Sequence, residues 1–306
     1  MTRVWLPDPP DTVEPLKNLP DGIEVDVWTG GHPLPGTKDE VEFINLPHGV
    51  KPDTLRVITS LPSLKVIQLN SAGAEHIRPY IPDRITLCNA RGAHDAATAE
   101  WTVGAIVAHI RNFPRFVQAQ EKQEWDFIVS EPVSGKHVLI VGYGSIGGAV
   151  ERRLAGWEVT IDRIARHARP GVRSIEELSQ ALPDADVVVI LLPVTDETRQ
   201  LVNAGFLGRM KDGALLVNAA RGAIVDTDAL LKELTSGRLK AALDVTDPEP
   251  LPAGHPLWRA PGLLLTPHAG GAVTAARLRA YRIVAAQLAR YARGEPLLNV
   301  IGARGY

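Results

Sequence analysis

Short apolar runs alternate with Pro- and Gly-rich turns through the first hundred residues. Residues 25–28, 41–45, 56–59, 65–70 and 85–89 read as strands. The intervals leave room for short helices between several of them, which suits a parallel sheet. The texture then changes. Residues 95–111 are apolar and rich in alanine, and Trp101, Ala105, Ala108 and Asn112 recur at helical spacing although Gly104 weakens the pattern. Pro114 marks the end of that helix or a kink in it. A polar stretch, 118–131, leads to a strongly apolar strand at 136–142.

From there strands and helices alternate. Helices are expected at 145–154, 174–181, 198–205 and 227–236, and strands at 159–164, 186–192, 213–219, 241–245 and 263–266. Ser174 with Glu177 three residues on is a capping-box pattern, and Gly237 closes the helix before it. The uninterrupted Val/Ile/Leu run at 187–192, within the strand expected at 186–192, fits a strand covered on both faces. The chain ends in a helix, 274–293, stopped by Gly294 and followed by Pro296. Folding that helix back onto the first domain makes the second domain an insertion. The expected fold is therefore α/β, with two doubly wound Rossmann-like domains, one inserted into a discontinuous other.

Composition narrows the function. A chain of 306 residues suggests about two domains. With 45% apolar and 22% charged residues a large core is expected and disorder is not. A net charge of −2 gives no basic surplus for nucleic acid. The longest apolar runs, 187–192 and 103–108, fall far short of a membrane span. The N-terminus meets prolines and acids at once, unlike a signal peptide. The single cysteine, Cys88, excludes an internal disulfide and a Cys-rich zinc site, and reads as a small core residue. A cytoplasmic protein is expected, with no metal, membrane or nucleic-acid partner.

Gly142-Tyr143-Gly144-Ser145-Ile146-Gly147 is G-x-G-x-x-G, directly after an expected strand and opening an expected helix. The first Gly permits a tight turn, the second a close backbone approach to a pyrophosphate, and the third helix-on-strand packing. The helix N-terminus offers N–H groups to the phosphates. In such a sheet, ligands lie beyond the carboxyl ends of the strands. The polar residues expected there are Asn218 and Arg221 after one strand, Asp244 and Glu249 after the next, and His268 after the last. A lone loop Arg, a Glu between prolines or a His after Pro is usually solvated or packed. Three at strand ends of one sheet offer an anion clamp, an orienting carboxylate and a general acid/base, a set suited to a charged carbonyl substrate. His94, His109 and His255 are competitors; His109 lies mid-helix and is expected to pack.

These motifs resemble the D-isomer-specific 2-hydroxyacid dehydrogenases, which include glyoxylate/hydroxypyruvate reductases. The match runs through Ser71-Ala-Gly73, Ala99-Glu100, the glycine loop, Leu191-Leu-Pro-Val-Thr-Asp-Glu-Thr198, Asn218-Ala-Ala-Arg-Gly-Ala-Ile-Val-Asp226, Leu243-Asp-Val245, Glu249-Pro-Leu251 and Thr266-Pro-His-Ala-Gly270. The resemblance implies a flavodoxin-like substrate domain at 1–97 and 273–306 and an NAD(P)-binding Rossmann domain at 98–272. It implies that Arg221 clamps the substrate, that His268 protonates the carbonyl oxygen, and that Glu249 partners His268; a carboxylate bonded to imidazole favours the imidazolium. It implies that backbone N–H groups of Ala72 and Gly73 cradle the substrate carboxylate. The dinucleotide is expected against Thr98, the glycine loop, Arg166, Leu192, Pro193, Ala219, Asp244, His268 and Gly270. A homodimer is implied, with Trp101 and Trp125 fitting either an interface or core packing. Two departures stand out: the 240–244 segment is one residue shorter than usual between Arg221 and Glu249, and the linker 118–131 is less typical.

The resulting reading is an NAD(P)H-dependent 2-keto-acid reductase acting on small substrates such as glyoxylate or hydroxypyruvate. The alternatives are phosphite oxidation with the same three residues and a nucleotide-sensing, corepressor-like binding protein. An acid about 20 residues into the unit would hold the NAD ribose, and Asp162 has that spacing. An ungapped match instead puts Ala165 at the ribose position, Arg166 beside it, and Arg163 and Arg169 on either side. That register favours NADP over NAD, with Arg166 facing the adenosine ribose.

Overall fold

The computed structural model describes residues 1–302. The chain forms two compact units, one from Met1–His94 together with the chain from Val273 onward, the other Asp95–Ala272. The first boundary falls at His94 rather than at residue 97.

The first unit carries β1 (Thr2–Leu6), β2 (Ile23–Val27), β3 (Val41–Leu46), β4 (Val66–Leu69) and β5 (Thr86–Cys88), all parallel in the order β2-β1-β3-β4-β5. The order reverses between β1 and β3, the flavodoxin-like switch point. β1 was not expected from the sequence. Its Val4, Trp5 and Leu6 are fully buried between two neighbours, but the run is short and Pro7 ends it at once. The strand expected at 56–59 is instead part of helix α1 (Pro52–Ile58). Pro52 supplies a first helical position, and Leu55 and Ile58 bury a three-residue stripe while Val57 is 40% exposed.

The second unit begins with α2 (Asp95–Ile110) and α3 (Phe113–Glu121). Pro114 starts a helix rather than ending one: Asn112 takes a left-handed φ of 59°, and the proline occupies the first turn of α3. The polar stretch at 118–131 is therefore helical at its start. Then follow β6 (His137–Val141), α4 (Ser145–Leu154), β7 (Thr160–Ala165), β8 (Arg173–Ser174), α5 (Leu178–Ala181), β9 (Val187–Ile190), α6 (Ala204–Leu207), β10 (Leu215–Asn218), α7 (Thr227–Thr235), β11 (Lys240–Leu243) and β12 (Leu263–Leu265). The sheet is parallel, in the order β12-β11-β10-β9-β6-β7-β8, with its switch point between β6 and β9. Separate apolar clusters cover its two faces, and β9 is buried throughout, as its unbroken apolar run requires.

The capping box of Ser174 and Glu177 is present, opening a 3₁₀ turn that runs into α5. The helix expected at 198–205 is displaced to α6, capped by Asn203, whose side chain accepts from Gly205 and Phe206 N–H. Thr198 instead closes a turn: its hydroxyl donates to the Pro193 carbonyl at 2.6 Å and accepts from Thr195 N at 2.8 Å. His109 packs, as its mid-helix position suggests, with Nε2 2.7 Å from the Ala241 carbonyl oxygen.

Helix α8 (Thr274–Ala292) belongs to the first unit. Its Tyr281, Val284 and Leu288 pack with Val4, Leu6, Phe43 and Cys88. Cys88 is fully buried, and that burial pushes its thiol up to about 11, so it is an inert core residue. Among the described residues no helix is long and apolar enough to cross a membrane.

Candidate active site

The glycine loop follows β6 at the switch point. Gly142 has φ 105°, and a Cβ there would lie 2.5 Å from the Leu191 carbonyl carbon, so only glycine lets the end of β9 approach. Gly142 and Tyr143 N–H both donate to the Ile164 carbonyl at 2.9 Å, tying the loop to β7. Gly144 is the N-cap of α4 and supplies no side chain, which leaves the first turn to receive an anion. Ser145, Ile146 and Gly147 form that turn.

Tyr143 is held from three sides. Its hydroxyl donates to Glu151, which also pairs with Arg163, Nε–Oε2 being 2.9 Å. Arg169 donates to the Tyr143 carbonyl at 2.5 Å, and Arg163 and Arg169 both approach the ring at under 6 Å. The Arg163 guanidinium holds the Glu151 carboxyl below the usual range. Arg163 is thus committed to α4. Asp162 lies inside β7, opposite Leu139, with His137 Nε2 at 3.2 Å and Arg173 at 3.7 Å. Ala165 ends the strand and Arg166 follows, 58% exposed, with only a loose 3.7 Å contact to Glu197 among the described residues. Sequence reasoning missed Glu151, which has no local signal that connects it to the loop, and Glu197 was legible only as part of the 191–198 motif.

At the other end of the sheet three adjacent strands converge. After β10, buried Asn218 accepts from Ala220 N–H at 3.0 Å and donates to the Arg221 carbonyl at 2.9 Å, which sets the loop that presents Arg221. Arg221 Nη1 donates to the Ala220 carbonyl at 2.7 Å. Gly222 passes so close to the next loop that a Cβ would sit 1.9 Å from the Thr246 carbonyl oxygen. After β11, Asp244 is 3% exposed and accepts from Thr266 Oγ1, Ala269 N and Gly270 N at 2.6, 2.8 and 2.9 Å. Its own carbonyl accepts from His268 N at 2.7 Å. His268 has φ 54°, a left-handed conformation uncommon outside glycine, and its Nδ1 is 2.5 Å from Glu249 Oε1. The structure thus brings His268, Glu249, Asp244 and Arg221 to the carboxyl ends of neighbouring strands. Thr266, which fixes Asp244, was legible only as part of the motif around His268.

Thr98 is buried in the first turn of α2, and Leu192, Pro193 and Ala219 follow β9 and β10. Trp101 packs on the sheet core and would meet a Cβ on Gly270 at 3.3 Å, whereas Trp125 is 97% exposed. Ala72 and Gly73 lie in the first unit after β4, where the Ser71 hydroxyl donates to the Gly73 carbonyl and Asn89 donates to that of Ala72. His255 caps a short 3₁₀ helix, its Nδ1 accepting from Leu257 N at 3.2 Å, and His94 Nε2 lies 3.2 Å from the Asn70 carbonyl oxygen.

Residues 103–270 match the family profile described as D-isomer specific 2-hydroxyacid dehydrogenase, NAD binding domain. The chain belongs to the D-isomer-specific 2-hydroxyacid dehydrogenases. This dehydrogenase is 36% identical to a glyoxylate reductase of Thermofilum pendens, over 78% of the chain and 75% of the relative. A D-isomer specific 2-hydroxyacid dehydrogenase from Xanthobacter autotrophicus Py2, solved with NADPH and MES, superposes with a TM-score of 0.84 at 28% identity, covering 99% of this chain and 98% of that one. An NADPH-dependent glyoxylate/hydroxypyruvate reductase from Sinorhizobium meliloti, solved with NADP and sulfate, gives 0.83 at 27% identity, covering both chains completely. The dehydrogenase is therefore an NAD(P)-dependent oxidoreductase of the 2-hydroxyacid class, with the two-domain Rossmann-type fold of its relatives.

Proposed function

We propose that the protein is a cytoplasmic, NADPH-dependent reductase of small 2-keto acids such as glyoxylate and hydroxypyruvate. It also runs in reverse as a D-2-hydroxyacid dehydrogenase. The observation that carries the reading is the 2.5 Å contact of His268 Nδ1 with Glu249, on a turn pinned through Asp244 beside the Arg221 loop.

The residues at the carboxyl ends of the second sheet fit a dinucleotide. Adjacent strands lie about 4.8 Å apart, so β7 to β11, four intervals, spans roughly 19 Å, enough for the molecule to lie across the edge. Its adenosine end would lie by Arg166, its pyrophosphate on residues 142–147, and its nicotinamide end near Asp244 and Gly270, flanked by Thr98, Leu192, Pro193 and Ala219. When bound, it supplies the hydride. The chain's own residues do the rest. His268 donates Nδ1–H to Glu249, which fixes the ring and leaves Nε2 to deliver a proton to the carbonyl oxygen. Arg221 offers a rigid fork to the carboxylate and the keto oxygen. In this reading the backbone N–H groups of Ala72 and Gly73, in the Ser71–Gly73 loop of the first unit, are the proposed cradle for a carboxylate.

NADPH is favoured because β7 ends in Ala165 with no acid at the ribose, Asp162 is engaged by His137 and Arg173, and Arg166 stands at the strand end. NAD remains the weaker partner. Exposed Trp125, Phe127 and Val129, beyond α3, support a homodimer, which light scattering at micromolar concentration would detect.

A matrix of 2-keto acids against NADPH and NADH tests the reading. Turnover of glyoxylate or hydroxypyruvate with NADPH preferred is expected, and Arg166→Ala should weaken NADPH binding far more than NADH binding. Cofactor binding without turnover of any 2-keto acid would point to a sensing protein, and phosphite-driven NADP reduction to a different substrate class.

A further inference from the structure

The carboxyl edge of the first sheet holds a feature that the reductase reading leaves unused. Three of the nine histidines gather there: His48 after β3, His76 after β4 and His94 after β5. A small pocket of about 70 Å³ opens between the β3 and β4 loops, lined by His48, His76, Asn70 and Ser71 over apolar Leu46 and Ile77. One water occupies about 30 Å³ of liquid, so the pocket has room for one carboxylate or about two waters. Ser71 lies on its wall and is also the first residue of the Ser71–Gly73 loop. The pocket thus borders the proposed carboxylate cradle.

The walls are held in place. Asn45 donates to the Gln68 carbonyl at 3.0 Å and to Asn70 Oδ1 at 3.1 Å, and Asn70 donates back to Asn45 Oδ1 at 3.3 Å. Among the described residues neither His48 nor His76 enters an ion pair; the histidine ion pairs there are those of His137 and His268. Among the described residues, the pocket therefore presents imidazoles with no carboxylate paired to His48 or His76.

We propose that this histidine pocket reads the tail of the keto acid and takes a second carboxylate, so that short 2-keto diacids are preferred over neutral-tailed 2-keto acids of the same length. The proposal rests on the reductase reading of the neighbouring cradle. Imidazole is a donor of charge-assisted hydrogen bonds when protonated and a single donor when neutral. Loss of solvation, and then the like charges of His94 and His76, hold His48 below the usual imidazole range. Those two histidines are the charged groups that act on it, one from the loop after β5 and one from the loop after β4. A carboxylate in the pocket offsets both effects, so binding of a diacid takes up a proton and tightens as pH falls.

The experiment compares kcat/KM for oxaloacetate with that for 2-ketobutyrate, and for ketomalonate with that for pyruvate, from pH 5.5 to 8. The expected diacid preference is roughly 10–100-fold near pH 6, the worth of one charge-assisted hydrogen bond, and it shrinks as pH rises. His48→Gln and His76→Gln, made separately and checked by thermal melting, should each pull the diacid ratio towards one. A diacid ratio near one at every pH, or a ratio that survives both substitutions, overturns the proposal. Failure of the reductase reading is distinct: then no 2-keto acid of either kind is turned over by the wild-type enzyme.

Discussion

Asp244→Asn is the most informative single change, because the residue is buried and its partners are all donors. Thr266 Oγ1 and Ala269 N both donate to Oδ1, at 2.6 and 2.8 Å, and Gly270 N donates to Oδ2 at 2.9 Å. An asparagine keeps one oxygen. Placed at Oδ1 it retains two bonds without charge assistance, and its NH₂ faces the Gly270 N–H. Flipped, it loses two bonds, so the first rotamer prevails. The cost is one charge-assisted bond, about 1.5–3 kcal/mol, plus weakening of the other two, or about 2–4 kcal/mol in all. At about 2–4 °C per kcal/mol for a domain of this size, the melting temperature should fall by roughly 5–15 °C. The same turn carries His268, so kcat should drop by about tenfold or more as the imidazole loses its position. Urea and thermal denaturation give the first number, and steady-state kinetics on the folded variant the second. A variant melting within about 2 °C of wild type with normal kcat would show that Asp244 does not hold the turn.

Further outcomes follow from the same geometry. His268→Asn should cut turnover by ~10²–10⁴ while NADPH binding stays nearly intact, and an equal loss of NADPH affinity by titration would assign His268 a different role. Gly222→Ala forces a Cβ against the Thr246 carbonyl, so it should destabilise by about 1–3 kcal/mol and raise KM for the keto acid by moving Arg221; an unchanged melt and KM would contradict this. Burial above all, with the Lys240 charge adding to it and the Ala241 hydrogen bond opposing it, lowers the His109 pKa below the usual 6.5. The unfolded chain then binds a proton that the folded one refuses, so His109's contribution is complete above pH 6.5 and is lost progressively as pH falls below it. His109→Gln should flatten the melting curve against pH over that window, and an unchanged slope would remove His109 as the cause.

Much of the fold was legible because the second unit states its pattern locally. The run at 187–190 reads as a strand covered on both faces, and Ser174, Gly237 and Gly294 mark helix ends where the structure has them. The first unit was harder to read. Val57 and Ile58 read as strand residues because adjacent β-branched positions favour a strand, although Pro52 and the three-residue spacing of Leu55 and Ile58 make a helix. β1 was lost because a five-residue strand that starts at the second residue offers no turn before it. At the site, Arg221, Glu249 and His268 were visible from strand-end position and motif alone. What the sequence did not disclose was support that depends on register. Glu151 holds Tyr143 and Arg163 only because α4 packs beside β7, and Thr266 reaches Asp244 only because β11 and β12 pair.

The central claim is hydride delivery to C2 of a 2-keto acid with proton delivery from His268. Its most direct test is the product made from hydroxypyruvate with NADPH deuterated on the transferred position of C4, analysed by NMR and chiral chromatography. The account predicts D-glycerate carrying one deuterium at C2, formed in wild type and suppressed in His268→Asn. L-glycerate, or product without deuterium at C2, would contradict it.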